Sequence, residues 1–93
     1  MLKITVENHQ KPMTIYLAGK LAGPWVDELQ RVWKSLRGQR PSENIRVDLS
    51  QVLFVDSEGK QLLASMLDEG TRFENPQLLT RYIVDELQSP RAH

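Results

Sequence analysis

The chain has 93 residues, 40% of them apolar and 26% charged, which is the balance of one soluble globular domain spanning residues 1–93. Lys plus Arg and Asp plus Glu each total 12, so no global field draws the chain to nucleic acid or anionic lipid. Cysteine is absent, which excludes disulfides, thiolate nucleophiles and thiolate metal sites and fits a reducing interior.

In chain order, Leu2, Ile4 and Val6 alternate with Lys3 and Thr5, and this pattern predicts a half-buried strand over 2–6. The segment lacks the apolar block of a signal peptide, and no window approaches the ~20 apolar residues of a membrane span. A cytoplasmic location without membrane insertion is the expectation. "NHQKP" reads as a turn, and "MTIYLA" as a second strand through Met13, Ile15 and Leu17. The short link favours an antiparallel hairpin.

In "GKLAGP", Gly19 and Gly23 are punctuation, and Pro24 suits the first position of a helix, where its missing N–H costs nothing. Trp25, Val26, Leu29, Val32, Trp33 and Leu36 then form an apolar stripe at helical spacing. Trp25 and Trp33 lie about 80° apart around that helix, so the two need not be buried together. Core packing is one role for them and anchoring an interface is another. Lys34, Arg37 and Arg40 gather at the C-terminal end, where cations complement the helix dipole.

"GQRPSEN" is loop. "IRVDL" predicts a third strand, and "SQVLFV" a loop-like extension packing into the core. A second helix begins near Ser57, carries Leu62, Leu63, Met66 and Leu67, and stops at Gly70, a residue suited to a left-handed helix end. "TRFE" predicts a short fourth strand. Pro76 opens a third helix with Leu79, Tyr82, Ile83 and Leu87 on one face, followed by a frayed tail. The order β-β-α-β-α-β-α predicts an α/β fold. Its mixed, mostly parallel sheet begins with an N-terminal β-hairpin and carries helices packed on it. Loops at the carboxyl ends of parallel strands form the functional edge of such sheets, and here they are "GKLAGP" and "FVDSEG".

Catalytic signatures are missing. His9 and His93 are the only histidines, one in a hairpin and one at the terminus, so neither a histidine metal site nor a Ser-His-Asp relay is supported. "GKLAG" has neither the spacing nor the context of a phosphate-binding loop. Asp48 and Asp56 are eight apart, and Asp48 reads as capping the turn after its strand rather than as half of an acid–base pair. The chain reads as non-enzymatic, and no cofactor or metal is implied.

Asp56-Ser57 stands where an apolar run gives way to helical periodicity. Both residue types are preferred helix N-caps, because a side-chain oxygen accepts a first-turn N–H. Lys60, three residues after Ser57, rules out a capping box. A serine at a helix start is also open to a kinase, and its phosphate would meet free N–H groups and the positive dipole end.

The stretch "IRVDLSQVLFVDSEGKQLLASM" resembles the signature of STAS domains, the anti-sigma factor antagonist family. Asp48-Leu49-Ser50, Phe54-Val55 and Asp56-Ser57-Glu58-Gly59 match its strand, turn and Asp-Ser-x-Gly helix start in order and spacing. "LAGKLAGPWVDELQRVW" is similar to the family's Gly-x-Leu segment before its first helix. The resemblance covers residues 2 to 88, with a shortened C-terminal part. It implies that Ser57 is the phosphoacceptor of a partner that is both anti-sigma factor and serine kinase. The unphosphorylated form binds that partner, and the phosphorylated form releases it.

Asp56 would orient the helix start and Gly59 would allow close backbone packing. Charged Glu58 and Lys60 stand where the family usually carries small and apolar residues. The implied partner surface comprises Asp56, Ser57, Glu58, Gly59, Lys60, Gly23 and Trp25. Other STAS domains are accessory subunits of lipid-trafficking ABC transporters or regulatory tails of anion transporters, and this is the alternative function.

Overall fold

The computed structural model describes residues 1–7, 13–39, 44–75 and Glu86. Alternating apolar residues form β1 (Leu2–Glu7) and β2 (Met13–Leu21), which pair antiparallel from Leu2 opposite Gly19 to Glu7 opposite Thr14. Then come α1 (Pro24–Arg37), β3 (Ile45–Val55), α2 (Ser57–Asp68) and β4 (Arg72–Glu74). The sheet order is β1-β2-β3-β4, with β2/β3 and β3/β4 parallel. The predicted mixed sheet is present, opened by an antiparallel pair and completed by two strand–helix–strand crossovers. The third helix predicted from Pro76, the hairpin turn at 8–12 and Arg40 lie outside the described residues.

One core joins the sheet to both helices. Ile15, Leu17, Val47 and Leu49 from the central strands meet Leu29 and Trp33 of α1 and Leu63 and Met66 of α2, all closed to solvent. Burying a side chain of this size contributes roughly 1.5–3 kcal/mol. Trp33 is fully inside while Trp25 is half-buried against the cluster, as their angular separation allows. The Trp33 indole N–H donates to Thr71 Oγ1 at 3.1 Å, a buried bond linking α1 to the entry of β4. At the end of α1, Arg37 lies over the Trp33 ring at 4.8 Å and pairs with Glu69 at 2.5 Å.

Gly70 ends α2 as the sequence predicts. With φ +97° it donates to Leu67 O at 2.9 Å, and Thr71 N–H donates to Met66 O at 3.0 Å. These two bonds make a Schellman motif, whose left-handed residue is almost free of cost for glycine.

Four expectations are corrected. β2 does not stop at Ala18 but continues through Gly19 to Leu21. Gly19 sits inside it at φ +113°, where a Cβ would stand 2.3 Å from Met1 O. "SQVLFV" is not a loop-like extension, because β3 is one strand of 11 residues. It stays paired with β2 through two register shifts, one between Tyr16 and Ala18 and one between Gly19 and Lys20. Each shift inserts an extra β3 residue, and such bulges turn side chains to new directions. Asp48 therefore lies inside the strand, not at its end. Its carboxylate accepts Ser50 N–H at 2.9 Å and Asn75 Nδ2–H at 2.9 Å, bracing the first bulge.

The second bulge overturns the burial expected of the apolar run. Val52 faces the core, whereas Leu53 is 67% exposed and Phe54 50% exposed.

Replacing Thr71 with Val keeps the shape and removes the acceptor for a buried indole N–H. Thr71→Val should lower stability by about 1–3 kcal/mol. Urea unfolding should show this as a lower midpoint with an unchanged slope.

Candidate functional site

The carboxyl ends of β2 and β3 lie side by side, and α1 and α2 both start there. Asp56 joins all four. Its N–H donates to Leu21 O at 3.1 Å, the last residue of β2. Its Oδ1 accepts Gly59 N–H at 2.7 Å, the N-cap bond of α2. Its Oδ2 accepts Gly23 N–H at 3.0 Å, at the start of α1. The cap reading of Asp56 is thus correct, and the same carboxylate also holds the start of α1. Gly23 has φ +60° and ψ −136°, and α1 has no side-chain cap of its own.

Gly59 N–H and then Gly23 N–H hold the Asp56 carboxyl below the usual carboxylate range, with a smaller contribution from Glu58 N–H. Burial acts on Asp48 in the opposite sense. There, bonds from Ser50 and Asn75 outweigh the desolvation, and that carboxyl is also lowered.

Gly59 faces inward under the first turn. A Cβ there would stand 2.8 Å from Leu21 O and 3.0 Å from both Leu21 Cγ and Val55 Cγ1. The close packing expected at this glycine is therefore a helix start pressed onto the end of β2.

Asp56 alone makes the cap, so Ser57 occupies the first helical position, exposed, with its hydroxyl outside the capping bonds. Glu58 is exposed beside it. Lys60 is half-buried, and its ammonium pairs with Glu86 Oε1 at 2.7 Å. Gly23 is exposed and brought to Asp56 directly, while Trp25 leans on the core. Of the expected surface, Asp56, Ser57, Glu58 and Gly23 gather at one place, Lys60 lies one turn on, and Trp25 contributes mainly packing.

Sequence reasoning missed Leu53 and Phe54, which enter this end of the sheet as exposed apolar side chains just before Asp56. A run of four apolar residues gives no sign of a bulge inside it. Beside the site, a shallow groove of about 340 Å³ separates α1 from α2, lined by Asp27, Gln30, Glu58, Gln61 and Ser65. Among the described residues it presents two carboxylates and no cation.

Among the described residues, no cluster of His, Cys, Asp or Glu is arranged to hold a metal, and no helix is long and apolar enough to cross a membrane.

The fold matches that of an anti-sigma factor antagonist from Mycobacterium paratuberculosis, with a TM-score of 0.73 and 19% identity. The match covers 94% of this chain and 80% of that one. A second solved structure, Mglu, matches with a TM-score of 0.62 and 21% identity, over 80% of this chain and 20% of that one. No family model and no curated protein sequence matches the chain. The architecture is the STAS fold, in agreement with the resemblance carried by residues 45–66.

Both lowered aspartates link stability to pH with the same sign. The folded carboxyls hold their protons less tightly than the unfolded ones. Their contribution is complete above the unfolded value of about 3.9 and is lost as the pH falls through the lower folded values. Urea midpoints measured from about pH 7 to about pH 2.5 should drop on the acid side, and Asp48→Asn and Asp56→Asn should each make that drop shallower.

Proposed function

We propose that the chain acts as one regulatory protein-interaction domain of the anti-sigma factor antagonist type, with Ser57 as a phosphoacceptor that controls release of a protein partner. The observation that carries this reading is the division of labour at the start of α2. Asp56 supplies the cap with both carboxylate oxygens engaged, which leaves the Ser57 hydroxyl exposed at the first helical position. A protein kinase can transfer the terminal phosphoryl group of a nucleoside triphosphate to Ser57 Oγ without dismantling the cap.

The surroundings supply both affinity and response. Leu53 and Phe54 offer apolar area to a docked surface at the same end of the sheet. Asp56 and Glu58 flank Ser57, and Asp27 lines the adjoining groove, so a phosphate enters a neighbourhood that is already anionic. It brings about −1.5 to −2 charge. The helix dipole returns ~0.3–1 kcal/mol, which keeps the modified domain folded. A partner packed over the turn would have to desolvate that charge at a cost of several kcal/mol unless it carries a cationic pocket.

The solved antagonist of the same fold supports a regulatory, non-catalytic role, and a cytoplasmic setting with an anti-sigma factor that is also a serine kinase is part of the proposal. A neighbouring gene for a histidine-kinase-like ATPase would favour this role, and permease and substrate-binding neighbours would favour the transporter accessory.

The test is affinity capture from cells with phosphosite mass spectrometry, followed by titration against the captured protein. Ser57→Asp should weaken binding tenfold or more, the equivalent of about 1.4 kcal/mol, while Ser57→Ala binds as the unmodified chain does. Leu53→Ala should weaken binding while lowering the urea midpoint little, since that side chain is 67% exposed. Equal affinity of the unmodified chain and both Ser57 variants would reduce Asp56-Ser57 to a helix start and leave the accessory-subunit reading in its place.

A further inference from the structure

β1 ends the sheet, and no described strand lies on its outer side. Across the β1/β2 pair, Lys20 N–H donates to Met1 O at 3.0 Å. Bonded and non-bonded pairs alternate in an antiparallel ladder, so the odd residues of β1 bond to β2. Leu2, Ile4 and Val6 therefore turn their N–H and C=O groups toward the open edge. Such a row is a ready template for another strand.

The edge is complementary to itself. In a second β1 laid antiparallel with Thr5 opposite Thr5, Lys3 falls opposite Glu7 and Glu7 opposite Lys3. Ile4 falls opposite Val6, so the outward polar groups of each meet those of the other. Lys3 and Glu7 then form non-bonded pairs, the class in which facing side chains approach most closely.

Lys3, Thr5 and Glu7 are all exposed, while Leu2 is buried and Ile4 and Val6 are half-buried against the core. This register sets exposed face beside exposed face and apolar face beside apolar face. A slip of one residue would oppose the two faces, and a slip of two would set a charge against Thr5. Neither Lys3 nor Glu7 has an ion pair with a described residue.

We propose that a second copy of this chain docks on the β1 edge, antiparallel and centred on Thr5, so that two four-stranded sheets become one. A charged edge residue ordinarily repels foreign strands. Here each charge has its opposite at the matching position of its own copy, so the edge rejects other strands and accepts itself. Pairing of single strands buries little area, and the dimer belongs to the weak, rapidly exchanging class below about 1,200 Å².

Sedimentation of the full chain from micromolar to millimolar concentration should show a concentration-dependent dimer. Lys3→Glu and Glu7→Lys each place like charges opposite one another twice in the dimer, and each should weaken it about tenfold. The double variant K3E/E7K restores both pairs and should return the affinity to within about twofold of the unmodified chain. In the unmodified chain, amide exchange at Ile4 and Val6 should slow as concentration rises, a readout needing no variant. A monomer throughout the range would overturn the proposal. So would a dimer indifferent to both single reversals, a double variant as weak as the singles, or exchange at Ile4 and Val6 independent of concentration.

Discussion

One carboxylate holds the start of both helices. Asp56 accepts Gly59 N–H at 2.7 Å through one oxygen and Gly23 N–H at 3.0 Å through the other, while its own N–H is fixed to the end of β2. Helix starts carry N–H groups that lack intrahelical partners, and a charged acceptor makes bonds about twice as strong as a neutral one. The rest of the site follows from this knot. Gly59 has no side chain because α2 begins against Leu21 O, and Gly23 takes a left-handed φ because α1 must leave β2 with its N–H aimed at Asp56.

On the proposed reading, structural and signalling duties fall on neighbouring residues. A phosphate that had to act as the cap would alter the fold whenever it was added or removed. With Asp56 in that place and held ionised by its two N–H donors, a group on Ser57 Oγ changes the surface charge and leaves the backbone bonds standing. On the proposed reading the switch is therefore electrostatic, read by whatever lies over the turn.

The elements readable from the sequence are those set by local chemistry. Period-two alternation marks β1 and the first half of β2, Pro24 opens α1, and Gly70 closes α2 through a left-handed residue within its own turn. What escaped depends on partners distant in the chain. The bulges of β3 exist only in its pairing with β2, and the first is braced by Asn75, which is 27 residues from Asp48. Gly19 looks like a break between elements, yet it lies within a strand paired on both sides, and it is glycine because the backbone of Met1 leaves no room for a Cβ. Asp56 is legible as a helix cap from its own neighbourhood, but its second bond spans 33 residues. An apolar run such as 52–55 fits a fully buried strand, and only the second bulge shows that it is divided.

On the proposed reading, that division bears on how the domain would bind a partner and let it go. Full burial of Phe54 would have contributed roughly 1.5–3 kcal/mol to folding, and the bulge directs it outward beside Leu53 instead. Apolar area gives affinity that is insensitive to charge, whereas a carboxylate-flanked serine gives a response to charge with little affinity of its own. On this reading β3 delivers the first and α2 the second, and Asp56 joins the two elements. A partner covering both would be held by Leu53 and Phe54 until a phosphate on Ser57 made the shared surface too costly to desolvate. Release would then require no change in the core, and the unloaded domain would remain folded and ready to bind again once the phosphate is removed.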